Sequence, residues 1–282
     1  MGGLEQVTGP IVYHGEGPAW HDGWGGLRWV DMLAGDVLAL DNATGEISRT
    51  HLADVAAAIR PRVGGGMVAG ITRGFALIDS DGTMHDLGEL WTDDSVRMNE
   101  GACDPHGRFY CGSMSRTPRD GMLYRLDTDR EVTIVERGVS ISNGLAWSAD
   151  GGCAYYIDTP TQRIDVFDYD FKSGLTGRRT FAVVDEEDGH PDGLTVDADG
   201  CVWVALYNGG KVRRYAPNGV PDAVVELPVS KPTAVALGGD DRRELYITTS
   251  REFLPDDVEP DAGSLYRIRV DVPGVPLHEY AG

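Results

Sequence analysis

The sequence predicts an all-β protein, a six-bladed β-propeller, on three observations. A short polar frame returns along the chain, strand-like runs follow each copy, and six units across 282 residues leave 47 for each. That length suits a blade of four antiparallel strands, and blade arrays run from about four to eight. One propeller domain over 1–282 is expected, with the N-terminal residues closing the last blade.

The first copy of the frame is "EGPAWHDG", 16–23, one residue shorter than the others. "LADVAAAIR", 52–60, comes nearest to helical periodicity and reads as a short segment at most, and "VAGITRGFALIDSDG", near 68–82, marks a further unit. "NEGACDPHG" follows at 99–107. "SNGLAWSADG", 142–151, and "HPDGLTVDADG", 190–200, align without a gap, so that Asn143 falls on Asp192, Gly144 on Gly193 and Leu145 on Leu194. "TAVALGGDD", 233–241, is a degenerate last copy. Second strands follow in "LRWVDM", "RFYCGSM", "CAYYIDT", "CVWVALY" and "ELYITTS". Third strands follow in "DVLALD", "MLYRLD", "RIDVFDYD", "KVRRYA" and "SLYRIRV". All are rich in aromatic and β-branched residues and bounded by Gly, Asp, Asn and Pro.

The 38 glycines are about twice the usual share of roughly 7%, as a chain of many turns requires. Cys103, Cys111, Cys153 and Cys201 form no CxxC pair and read as reduced, buried thiols. Cys103 and Cys111 fall on the apolar positions held by Trp147 and Tyr155 in the next unit.

Against 25 basic residues stand 45 acidic ones, a net charge of −20. That field repels phosphate backbones and anionic lipid, so neither nucleic acid nor membrane is an expected partner. No run approaches the 18 or so apolar residues of a membrane helix. "MGGLEQVTGPIVYHGEG" lacks the basic and apolar regions of a secretory signal, so a cytoplasmic location is expected, as a monomer or weak homo-oligomer.

Singly, Asn-Gly and Asp-Gly are ordinary turn dipeptides, and Asp150 and Asp199 are assigned to hairpin turns. Convergence changes the reading of the frame's first position. In a propeller the inner strands start on one face, so Glu16, Asn99, Asn143 and Asp192 are expected to meet at the axis. Carboxylates gathered there without a cation suffer desolvation and mutual repulsion, which points to a metal-binding central channel. An all-oxygen site suits one hard divalent ion, Ca²⁺ first, then Mg²⁺ or Mn²⁺, with Zn²⁺ less natural. No Gly-x-Ser-x-Gly elbow or evident Ser-His-Asp arrangement is present.

Five stretches in order, "GEGPAW" (15–20), "RMNEGACDPHGRFYCGSM" (97–114), "SNGLAWSADG", "HPDGLTVDADGCVWVALYNGG" (190–210) and "LYITTS" (245–250), resemble the gluconolactonase/regucalcin (senescence marker protein, lactone hydrolase) family along nearly the whole chain. The resemblance implies a metal-dependent lactonase opening the ester ring of a sugar lactone. It implies Glu16, Asn143 and Asp192 as metal ligands, Asp192 also as general base, and Arg97 and Asn99 as substrate contacts. One departure stands out. Where some sugar-lactone members place an acidic residue after the "GSM" element, this chain has Ser115-Arg116-Thr117-Pro118. Two other functions share the scaffold, phosphotriester hydrolysis and non-catalytic calcium binding. Arg97 argues against the second, since a calcium buffer gains nothing from a neighbouring cation.

Overall fold

Six four-stranded antiparallel sheets follow one another around a central axis in this computed structural model, which describes residues 1–255 and 257–282. Each sheet runs from an inner to an outer strand in chain order. The inner strands of blades 1 to 6 are Gly15–His21, Ala56–Pro61, Val96–Cys103, Ser142–Trp147, His190–Val196 and Pro232–Gly238. The sixth blade takes its outer strand from the other end of the chain. Glu5 pairs with Arg267 and Gln6 with Tyr266, closing the ring as expected. Closure leaves only short outer edges exposed. Among the described residues, no helix is long and apolar enough to cross a membrane.

The cores lie between blades. Ala58, Val68 and Phe75 of blade 2 pack on Met98, Phe109 and Cys111 of blade 3. Trp203 and Val212 of blade 5 pack on Val235, Leu245 and Ile247 of blade 6. Trp29, 1% exposed, joins Trp20, Leu38 and Tyr246 where the first and last blades meet. Trp29→Ala is expected to cost about 3–5 kcal/mol of unfolding free energy, since the packed β-sheets around it cannot collapse into the space. A urea titration of intrinsic fluorescence and circular dichroism reads the loss.

Blade 2 corrects one expectation and bears out another. The segment read as short and helix-like at 52–60 contributes an inner strand, Ala56–Pro61, buried throughout. Its alanines suit a strand wedged between neighbours, where a larger side chain has no room. The stretch near 68–82 does mark a further unit: it holds the second and third strands of that blade, Met67–Ile71 and Gly74–Ile78. Cys103 stands beside Phe109 in the register as Trp147 stands beside Ala154. Cys111, however, matches Tyr156 and not Tyr155, because its partner Gly101 is the counterpart of Leu145. Cys103, Cys111 and Cys201 are buried, whereas Cys153 is only partly so.

Every inner strand slips register at the same place. The shift falls between Glu16 and Ala19, Ala56 and Ala58, Met98 and Gly101, Ser142 and Leu145, Pro191 and Leu194, and Pro232 and Val235. A bulge adds an unpaired residue and re-aims a side chain. Asn99, Asn143 and Asp192 open the bulges of blades 3, 4 and 5. Glu16 stands one residue ahead of its bulge, and its longer side chain makes up the difference.

The glycine of the frame has a packing role and not a turn role. Gly144 and Gly193 lie inside strands. A Cβ on Gly144 would come within 2.7 Å of the Asp192 carbonyl oxygen, and one on Gly193 within 2.7 Å of Ala234 Cα. The bulges of neighbouring blades press together here, so only glycine fits. Asp150 and Asp199 do sit in hairpin turns, ahead of Gly151 and Gly200 with φ of 68° and 77°.

Candidate functional site

The bulges bring Glu16, Asn99, Asn143 and Asp192, from four different blades, to the floor of one cavity of about 270 Å³. All four are buried, at 2%, 4%, 5% and 6% exposure. Arg97, on the same strand as Asn99, reaches the cavity half-buried. All five residues expected at the site are therefore together. A larger groove of about 780 Å³ lies off the axis between blades 1 and 2 and contains none of them.

A directed hydrogen-bond chain orders the amides. Arg97 Nη1, which can only donate, lies 2.7 Å from Asn99 Oδ1. Asn99 Nδ2 donates at 2.8 Å to Asn143 Oδ1 and at 2.7 Å to the Ser142 carbonyl. Asn143 Nδ2 donates to Thr159 Oγ1 at 2.8 Å, and that hydroxyl donates to the Pro191 carbonyl at 2.8 Å. A donor-only group at one end and an acceptor-only group at the other fix both amide orientations. The chain runs from blade 3 to the residue before Asp192.

The carboxylates are held differently. Glu16 Oε2 accepts from the Gly17 N–H at 3.0 Å. Asp192 Oδ1 is buried and has no hydrogen-bond partner. Burial raises both carboxyls well above the usual range, Glu16 further through Glu100, and Asp192 further through Glu16 and Glu100; Arg97 opposes the rise in each. Two buried acids, both raised by burial and by Glu100, one with an unpartnered oxygen, form a place where positive charge is missing. Among the described residues no three His, Cys, Asp or Glu side chains form a metal cluster, and the set here is two carboxylates and one amide oxygen. That donor set fits a hard divalent cation and suits the softer N/S-seeking ions less well.

Four further residues shape the site without belonging to the repeated frame's first position. His14 Nδ1 lies 2.7 Å from Ser250 Oγ and its Nε2 3.9 Å from Glu16 Oε1. Burial, then Arg97 and Lys231, depress its imidazole to about 3, so it stays neutral. Glu252 lines the cavity 3.5 Å from His14 Nδ1. Beneath, Glu100 faces Arg60 at 3.9 Å, and burial pushes its carboxyl up to about 7 against the pull of Arg60. Glu100 is the second bulge residue of blade 3, where blades 4 and 5 have glycine, and that difference is its signal in the sequence.

A family model described as SMP-30/Gluconolactonase/LRE-like region matches residues 14–251. Regucalcin of Oryctolagus cuniculus is 35% identical over 294 residues, covering 99% of this chain and 98% of its own. The 6-deoxy-6-sulfogluconolactonase of Pseudomonas putida is 35% identical over 281 residues, 95% of each chain. Among solved structures, regucalcin from Agrobacterium tumefaciens strain C58, described as a calcium-binding protein, superposes with a TM-score of 0.92 at 27% identity, covering 100% of this chain and 98% of that one.

Proposed function

Because the chain belongs to the SMP-30/gluconolactonase/LRE-like family, we propose that it is a metal-dependent lactonase that opens the ester ring of a sugar lactone. The observation that carries the reading is the pair of buried carboxylates at the axis, one oxygen unpartnered, beside an arginine-headed chain of ordered amides. Glu16, Asn143 and Asp192 would hold one divalent ion, Ca²⁺ by preference. When bound, it supplies a Lewis acid that activates water and neutralises developing negative charge.

The chain's own groups divide the remaining work. Asp192, unpartnered at Oδ1, accepts the proton of the attacking water. Arg97 and Asn99 contact the substrate: Arg97 adds positive potential where the ester oxygen gains charge, and Asn99, its two N–H bonds already spent, offers Oδ1 to a substrate hydroxyl. Arg97 has two other contacts, the Met98 carbonyl at 3.0 Å and Met32 Sδ at 2.9 Å, and among the described residues no carboxylate forms a direct ion pair with it. This favours catalysis over simple calcium storage. A cytoplasmic location, as a monomer or weak homo-oligomer acting on a small-molecule lactone, completes the reading.

A pH-stat panel tests the reading. Purified protein with Ca²⁺ should release acid from aldonolactones far faster than it hydrolyses phosphotriesters. A reversed order would move the chain to phosphotriester hydrolysis, and silence toward both would leave only metal binding.

A further inference from the structure

The mouth of the cavity differs in character from its floor. Its wall is formed by Met114, Ile141, Tyr207 and Phe253. Phe253 is 82% exposed, more than any other large apolar residue among those described. Its φ is 59°, the left-handed region that bulky side chains rarely enter. Strain of this kind collects at ligand clamps.

The loop that carries the ring is held in place. The Glu252 N–H donates to Ser250 Oγ at 2.9 Å and the Leu254 N–H to the Arg251 carbonyl at 3.1 Å. Lys231, 6% exposed, donates to the Glu252 carbonyl. Its ammonium lies 5.3 Å from the Tyr207 ring centre and 5.8 Å from that of Phe253. A buried cation thus fixes both aromatic rings beside the opening.

Several polar atoms near the mouth are already engaged. Thr159 Oγ1 both accepts and donates, and Asn143 spends its Nδ2 on it. His190 is tied to Gln162 at 3.1 Å, and Glu252 turns toward His14. Residues 116–118, where an acidic contact to substrate hydroxyls would stand, hold Arg-Thr-Pro, are exposed and do not line the cavity.

We propose that Phe253 is the specificity-determining residue of this site, selecting a sugar lactone whose outward arm ends in a methyl group and not a hydroxymethyl group. The proposal rests on the lactonase reading and narrows its substrate. A hydroxymethyl arm against Met114, Ile141 and the Phe253 ring loses water without gaining a hydrogen bond from them, whereas a methyl group gains contact with the rings.

The test uses stereochemically matched aldonolactones that differ only in terminal CH₃ or CH₂OH, with the calcium-loaded full-length protein. The methyl member should show a kcat/KM roughly 10–100-fold higher, the range over which an apolar pocket rejects an added hydroxyl. Phe253→Ala should raise KM for the methyl substrate and bring the two kcat/KM values together, while Phe253→Leu, still apolar, should keep the preference. Because the ring is exposed, thermal unfolding of both variants should match wild type. Equal rates in wild type, a preference for the hydroxymethyl member, or a preference that survives Phe253→Ala overturns the proposal while leaving the lactonase reading intact. No turnover of either lactone removes both.

Discussion

Replacing Asp192 with asparagine is expected to lower kcat by about 10²–10⁴-fold while leaving a folded protein that still binds the divalent ion, though more weakly. The side chain keeps its shape and one oxygen, so the bulge in blade 5 and the tight Gly193 contact with Ala234 are undisturbed. What disappears is the buried carboxylate oxygen that has no partner in the protein and can take a proton. Affinity should fall because one of two negative charges is lost. The assay is therefore run at saturating Ca²⁺, which separates ligand from base. Adding Asn143→Asp should not restore the rate. That oxygen sits on blade 4, where Asn143 already accepts from Asn99 and donates to Thr159, and a carboxylate there could not donate. Near-wild-type kcat in the metal-saturated variant would leave Asp192 as a ligand alone and remove the proton-transfer role.

The legible part of this protein is the part that repeats. A frame with fixed distance from polar residue to glycine gave the blade number and placed Asn99, Asn143 and Asp192 at equivalent register positions. The physical basis is the recurring bulge, which re-aims its first residue toward the axis and in blades 4 and 5 is followed by a glycine. The same basis explains what was misread. The Asn-Gly and Asp-Gly pairs look like turns, yet Gly144 and Gly193 are required by the approach of the next inner strand. Blade 2 was obscure because its bulge residue is Ala57, with no polar marker, and three consecutive alanines imitate a helix. The outer strands carried little pattern either: Ile47–His51 is exposed at every position, so nothing enforces alternation.

His14 and Glu252 escaped for another reason. They enter the site from segments flanking the inner strand of blade 1 and following the second strand of blade 6, joined through Ser250, the bond from the Arg251 N–H to the Tyr13 carbonyl, and their mutual approach. A contact between residues 236 positions apart leaves no local trace. The exposed ring of Phe253 was equally silent, because an isolated aromatic in a loop has no period to betray it.

The most direct measurement of the central claim joins metal binding to turnover. Protein stripped exhaustively with chelator is titrated with Ca²⁺ by calorimetry while acid release from an aldonolactone is followed on the same samples. The account predicts one site per chain, turnover abolished in the stripped protein and restored in proportion to occupancy. It also predicts far-ultraviolet circular dichroism nearly unchanged throughout, because the apolar packing between blades holds the fold without the ion. Glu16→Gln should weaken that binding and shift the restoration curve with it. Undiminished hydrolysis by stripped protein, or calcium binding that proceeds without any change in rate, would contradict the account.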